Sequence, residues 1–239
     1  MIARSGPDSN RMLEALEPAD RLKLEPSFQS CILSAGDVLF EAGERITSVY
    51  FPVAGQVSLL IAAEDGSEVE SAAIGNEGVV GLGGLLTDDV SFTRQKVQFS
   101  GRALMVARSP FLASVQSSAG LRRVLAVHHD AFAAQMLQSV FCQARHRAHE
   151  RIARWLLNAF DAVRDGVLPL TQDVIAAALG VRRATVTISL RWMASSGLIE
   201  LGRGRIALID RVGLERQACA CYAIIRGSYD NVFGLGGGS

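Results

Sequence analysis

Apolar residues change their spacing partway along the chain. Between Cys31 and Ala107 they come in short runs separated by glycine-containing turns. The runs Cys31–Leu33, Val38–Phe40, Val49–Pro52, Gln56–Ile61, Val69–Ile74, Lys96–Phe99 and Leu104–Ala107 predict short strands. Ser34-Ala35-Gly36-Asp37 and Val53-Ala54-Gly55 read as turns between them. Glu64-Asp65-Gly66-Ser67 predicts a tight hairpin, because Asp-Gly tolerates positive φ. Pro52 lies in an apolar run and predicts a strand end or an edge. Short strands at this spacing imply a sandwich or a barrel-like roll.

From Ser109-Pro110, a helix-start signal, the period lengthens. Leu121 to Ala144 holds neither Gly nor Pro. Leu121, Val124, Leu125, His128, Phe132, Met136, Val140 and Phe141 form one stripe, and Val127, Ala131, Ala134 and Leu137 form another. A helix of ~24 residues would be ~36 Å long. One stripe can cover the strand domain while the other meets a partner helix. The polar stretch Gln143–Glu150 predicts a hinge. Arg151–Phe160 then reads as an amphipathic helix with Ile152, Trp155, Leu156 and Phe160 inward.

Beyond the hinge the pattern is helix, glycine turn, helix, small hairpin. Thr171 is a natural N-cap for a helix bearing Val174, Ile175, Ala178 and Leu179. Gly180 breaks it. A second helix over Arg182–Ser195 has Val186, Leu190 and Met193 on one face and Arg182, Arg183, Thr187 and Arg191 on another. Leu201–Leu208 predicts a wing with Arg203 and Arg205 at its tip. This order is that of a winged helix-turn-helix, whose second helix enters the DNA major groove. Arg183 suits a bidentate bond to guanine, and the Ala184 and Thr185 methyls suit thymine. Thr171, Arg182, Thr187, Arg191, Arg203 and Arg205 complete the expected DNA-facing set, mainly toward phosphates.

Composition agrees with two modules. The 239 residues are 49% hydrophobic and 20% charged, ordinary for a packed protein. The net charge of zero hides an asymmetry: 9 basic and 15 acidic residues precede Gln116, and 15 basic and 9 acidic residues follow, every later cation being arginine. A basic C-terminal half suits a polyanion. The N-terminus carries Arg4, Asp8 and Arg11 without an apolar run, so no signal peptide is expected. Ser48–Ala63 is too polar and Pro/Gly-interrupted for a membrane span. No Gly-x-Ser-x-Gly, P-loop or His-Glu-x-x-His pattern occurs, so no catalytic residue is assigned.

The residues Gly36–Glu44, Val49–Pro52 and Gly55–Leu59, followed by Arg151–Leu157, Leu170–Gln172, Leu179–Val186 and Gly197–Ile199, resemble the CRP/FNR family of bacterial transcription regulators. The resemblance covers roughly Ala35 to Ile209. It implies an α+β fold with a jelly-roll-like N-terminal β-roll, a long dimerisation helix and a C-terminal winged helix-turn-helix. The corresponding boundaries are 1–118, 119–146, 147–228 and a flexible tail over 229–239. It further implies a cytoplasmic homodimer on palindromic double-stranded DNA, with RNA polymerase as a further partner and an effector at the roll. The alternative is a sensory roll acting mainly through protein contacts.

Family signatures are missing at two sensory positions. Leu82 stands where cyclic-nucleotide-binding members carry a ribose-binding Glu. Phe92, rather than Arg94, stands at their phosphate-binding position. An effector would instead meet Gly81, Leu82, Gly83, Gly84, Arg94 and Met136, with backbone N–H groups and Arg94 as anion donors. Only Cys31 lies near the N-terminus, unlike the iron–sulfur branch. Cys219-Ala220-Cys221 with Cys142, His146 and His149 offers the residue types of a metal or thiol switch. Cys142 and His146 share a helix face, but Cys219-Ala220-Cys221 lacks a two-residue spacer and is placed in another module. These are read as ordinary reduced cysteines, with no metal or cofactor assigned. The reading helix also departs from the family, with Arg182, Ala184 and Ile188 at positions that usually differ, so a different operator is expected.

Overall fold

The structure is a computed structural model and describes residues 9–83 and 90–234, with the side chains of 231–234 excepted. Short helices α1 (Arg11–Glu14) and α2 (Pro18–Leu24) precede strands β1 (Gln29–Leu33), β2 (Val38–Phe40), β3 (Ser48–Ala62), β4 (Glu68–Ile74) and β5 (Arg94–Ala107). Then follow α3 (Arg108–Ser117), the 27-residue α4 (Ala119–Arg145) and α5 (Ala148–Ala162). The remainder is β6 (Val167–Leu168), α6 (Gln172–Leu179), α7 (Arg183–Ser195), β7 (Ile199–Gly202), β8 (Arg205–Leu208), α8 (Arg211–Gln217) and α9 (Cys221–Gly234). The fold is α+β, with an antiparallel strand core first, a long helix next and a helix-turn-helix last.

Two compact units divide these elements. The first comprises Met1–Leu59, Ala73–Ala134 and Gly227–Ser239; the second comprises Leu60–Ala72 and Gln135–Arg226.

In the first unit the sheet order is β1-β5-β3-β4, with β2 also on β5. β1 lies antiparallel on β5, from Gln29 opposite Met105 to Leu33 opposite Gly101. Two pairs of expected short strands are each one long strand. Val49–Pro52 and Gln56–Ile61 merge in β3, and Lys96–Phe99 and Leu104–Ala107 merge in β5. Pro52 therefore lies inside a strand, correcting the expected strand end. Its carbonyl accepts a hydrogen bond from the buried Asn10 side chain at 2.9 Å. Gly55 is not a turn either. It holds φ +83° within β3, where a Cβ would come within 2.5 Å of the Phe99 carbonyl oxygen. Opposite it, a Cβ on Gly101 would lie 2.0 Å from the Ala54 carbonyl oxygen. The two glycines let the strands approach closely at a local irregularity instead of ending them.

The core of this unit gathers Met12, Leu24, Phe40, Phe51, Val106 and Phe111 with Leu121 and Leu125 from α4. Leu121, Leu125 and His128 of the first α4 stripe are buried, as is Ala131 of the second, whereas Met136, Val140 and Phe141 of the first are exposed. The expected division into one docking stripe and one partner stripe is thereby corrected: only the N-terminal part of the first stripe docks. Ser118 caps α4 by accepting the Leu121 N–H at 2.9 Å. Residues 229–234, expected to begin a flexible tail, continue α9 instead. Tyr229 is buried beside His128, and Asp230 accepts a 2.7 Å bond from Arg11. An aromatic ring and an ion pair, absent from the usual composition of a tail, hold this stretch in place.

In the second unit α5 is the central helix, and Ile152, Trp155, Leu156 and Phe160 are buried as its period predicts. A two-residue break, His146–Arg147, separates it from α4. The β3–β4 hairpin tip belongs to this unit. Its turn closes with the Ala63 N–H on the Ser67 carbonyl, and Gly66 takes φ +79°. Glu70 accepts the Trp155 indole N–H at 2.9 Å. The small sheet β6-β8-β7 is antiparallel throughout, with Ile199 opposite Leu208 and Gly202 opposite Arg205.

Candidate nucleic-acid interface

α6 and α7 are joined by Gly180, Val181 and Arg182. Gly180 takes a left-handed φ of +60° as the C-cap of α6 and donates its N–H to α6 carbonyls, which stops the helix cleanly. Val186, Leu190 and Met193 on α7 are buried, as are Ile175, Ala178 and Leu179 on α6. A buried guanidinium ties this pair to α5, because Arg151 donates to the Leu179 carbonyl at 2.6 Å.

The opposite face of α7 is left open. Arg182, the N-cap residue, is exposed with Arg183, Ala184 and Arg191, while Thr185 is half-buried. Arg203 and Arg205 are exposed at the wing, whose turn is Arg203-Gly204 with Gly204 at φ +66°. Ile188 and Trp192 share the open face of α7, Ile188 being 71% exposed. The arginine pattern shows where this face lies but gives no sign that an aliphatic side chain stands at its middle.

Three expected contacts are already engaged. Thr187 donates its hydroxyl to Gln172 Oε1 at 2.6 Å and lies 3.1 Å from the Arg183 carbonyl, so it joins α6 to α7. Arg183 pairs with Asp173 at 3.2 Å, both side chains well exposed. Such a pair is worth ~0–1 kcal/mol and opens readily for a better anion. Arg205 stands 3.8 Å from Glu200. Thr171 occupies the N-cap position of α6, but its side chain makes no capping bond and is exposed.

At the roll, Gly81 takes φ +85° and donates its N–H to the buried Gln95 side chain at 3.1 Å. Leu82 packs against the core. Phe92 is exposed, and a Cβ on Gly83 would lie 3.9 Å from its ring. Arg94 pairs with Glu41 at 3.2 Å. Gly84 lies outside the described residues. Met136 is exposed on α4 together with Leu137, Val140 and Phe141.

The structure corrects one further reading. Cys142, His146, Cys219 and Cys221, expected in separate modules, meet in the second unit. The start of α9 folds back on the end of α4, which no local spacing reveals. The Cys142 thiol is pulled below its ordinary pKa by the hydrogen bond with Cys219 and, against its burial, by the Arg154 charge. The same hydrogen bond, with burial, pushes Cys219 up.

A glycine-turned helix pair with an antiparallel wing, in a chain that opens with an antiparallel β-roll, defines a DNA-binding transcription regulator. Residues 31–118 match the cyclic nucleotide-binding domain and residues 150–217 the Crp-like helix-turn-helix domain. With both domains present in this order, the chain belongs to the CRP/FNR family of transcription regulators. The transcriptional regulator SdrP of Thermus thermophilus is 28% identical over 192 residues, covering 77% of this chain and 91% of that protein. The solved structure of a CRP/FNR-family transcriptional regulator from Thermus thermophilus is 26% identical with a TM-score of 0.64, covering 80% of this chain and 98% of that one. FixK2 from Bradyrhizobium japonicum shares the fold, with a TM-score of 0.69 at 20% identity over 81% of this chain and 98% of its own. Among the described residues, no helix is long and apolar enough to cross a membrane.

Proposed function

We propose that the protein is a cytoplasmic homodimer that reads a palindromic operator with α7 and holds the flanking phosphates with its wing. The observation that carries this reading is the open face of α7. Arg182, Arg183, Ala184 and Arg191 are exposed there, and Arg203 and Arg205 are exposed on the wing of the same unit. Arg183 reads guanine, while Ala184, Thr185 and Ile188 offer methyl groups to thymine. Arg182, Arg191, Arg203, Arg205 and Thr171 hold phosphates, and Thr187 fixes the angle between the two helices. The apolar patch Met136, Leu137, Val140 and Phe141 on α4 supports a helix-to-helix dimer, which presents two reading helices one DNA turn apart. The roll, residues 1–118, is the sensory part, 119–146 the dimer helix and 147–228 the DNA-binding part. RNA polymerase is the further partner at the promoter.

The effector of this reading is not a cyclic nucleotide. Leu82 supplies no carboxylate for a ribose, and Phe92 supplies no cation for a phosphodiester. Gly81, Gly83, Gly84 and Arg94 remain the positions for another ligand, and titration calorimetry with cyclic AMP and cyclic GMP is expected to give no binding heat. Selection from a random duplex library, read by fluorescence anisotropy, tests the main reading. The expected product is an inverted repeat with half-site centres about 10 base pairs apart. Arg183→Ala is expected to cost about 1–3 kcal/mol and to relax preference at one base pair per half-site. A folded protein that selects no repeat at low salt would favour a protein-contact role instead.

A further inference from the structure

A cluster of three buried thiols and one half-buried imidazole in the second unit has no part in DNA reading. Cys142, His146, Cys219 and Cys221 each offer one ligand atom, and the four atoms lie within 4.8 Å of one another. Sγ of Cys142 is 3.5 Å from Sγ of Cys219, and Sγ of Cys221 is 3.3 Å from Nδ1 of His146. A tetrahedral zinc with Zn–S of about 2.3 Å and Zn–N of about 2.0 Å sets S···S edges of about 3.8 Å and S···N edges of about 3.5 Å. Both measured edges fall within a few tenths of an ångström of these lengths.

The local folding serves such a site. Cys142 stands in the last turn of α4 and His146 one turn on, in the break before α5, its N–H donating to the Cys142 carbonyl at 3.1 Å. Cys219 and Cys221 flank Ala220 at the start of α9, and the Cys219 N–H donates to the Glu150 carbonyl at 3.4 Å. Gln138 donates its amide N–H to Cys221 Sγ at 3.0 Å, an outer bond of the kind that steadies a metal-bound thiolate. A second, independent feature is Arg154. It is buried, its charge acts on Cys142, and its Nε has no hydrogen-bond partner. Three thiolates around a divalent ion carry one surplus negative charge, which this guanidinium offsets.

We propose that Cys142, His146, Cys219 and Cys221 bind one zinc ion in a closed, structural site of three sulfurs and one nitrogen. Each thiol gives its proton to water as the Zn–S bond forms, and no electron is transferred. An iron–sulfur cluster spreads its ligands over several irons, wider than this cluster. A Cys142–Cys219 disulfide would leave Cys221 and His146 without a purpose. The ion would clamp the α4–α5 break to the start of α9, joining positions 77 residues apart.

Cobalt titration of the reduced, chelator-stripped full-length chain tests this. The expected result is saturation at about one cobalt per chain, with the thiolate charge-transfer band and intense visible bands of a tetrahedral site, displaced by equimolar zinc. Cys142→Ser, Cys219→Ser and Cys221→Ser are each expected to lose the charge-transfer band at that stoichiometry. His146→Ala should keep it and shift the visible bands, and Cys31→Ser should change nothing. A cysteine variant can fail to fold, so the unaltered chain supplies a second readout. Zinc should slow the reaction of three of its four free thiols with an aromatic disulfide reagent about tenfold or more, sparing Cys31. The proposal is overturned if the chain with four free thiols binds no cobalt, if Cys219→Ser leaves the spectrum intact, or if a Cys142–Cys219 disulfide forms in air with zinc present.

Discussion

His128 sits 2% exposed on α4, between the rings of Phe132 and Tyr229 and against Gly78, and its Nδ1 has no hydrogen-bond partner. Burial, helped by the neighbouring His129 charge, lowers its pKa from 6.5 to about 4. The native state therefore holds the ring neutral, while the unfolded chain protonates it at 6.5. Stability from this residue is complete above pH 6.5 and is lost as pH falls from 6.5 to about 4, for a total of roughly 3 kcal/mol. Urea unfolding at pH 7 and pH 4.5 should show that loss, and His128→Leu should flatten it; an unchanged acid slope in the variant would refute the assignment. The helical period marks this histidine as inward-facing. It does not reveal that no acceptor awaits it, because that depends on Gly78 and Tyr229, remote in sequence. Arg183 and Arg191 are legible for the opposite reason, since exposure on a helix follows from period alone. The same period places Thr187 among the phosphate contacts, yet its hydroxyl has a nearer partner in Gln172.

Elements are legible where one face alone decides them. The limits of α4, α5 and α7 follow their apolar stripes closely, and the Asp-Gly hairpin and the wing stand where their turn residues predict. β3 and β5 each read as two strands because Pro52, Gly55 and Gly101 look like punctuation. In three dimensions the glycines mark a close crossing of continuous strands, and the Pro52 carbonyl is used by Asn10. Gly101→Ala should accordingly destabilise the first unit by at least about 2 kcal/mol, seen as a lower urea midpoint at unchanged slope. Gly36→Ala, with open space around its Cβ and a positive φ of 97°, should cost only its backbone strain of about 1 kcal/mol. On α4, Leu137 and Val140 are 73% and 69% exposed. Leu137→Glu should convert the dimer of the proposed reading to monomer in sedimentation and weaken operator binding at least about a hundredfold, because each half-site alone must then hold the protein. A variant that stays dimeric would move the interface elsewhere.

At the scale of the whole molecule, the order of modules is readable because the hydrophobic period changes once and the charge changes with it. Two features are not. The thiol cluster unites positions far apart in sequence, so no spacing rule reaches it. The tip of the β3–β4 hairpin reads as part of the roll, yet Leu60–Ala72 is compact with Gln135–Arg226, and Trp155 is bonded to Glu70. The backbone consequently passes from one unit to the other four times, after Leu59, Ala72, Ala134 and Arg226. No single cut yields either half whole. Anyone grafting this DNA reader onto a foreign sensor would have to transplant a discontinuous cassette, hairpin included, or leave a tryptophan's indole nitrogen stranded at the seam.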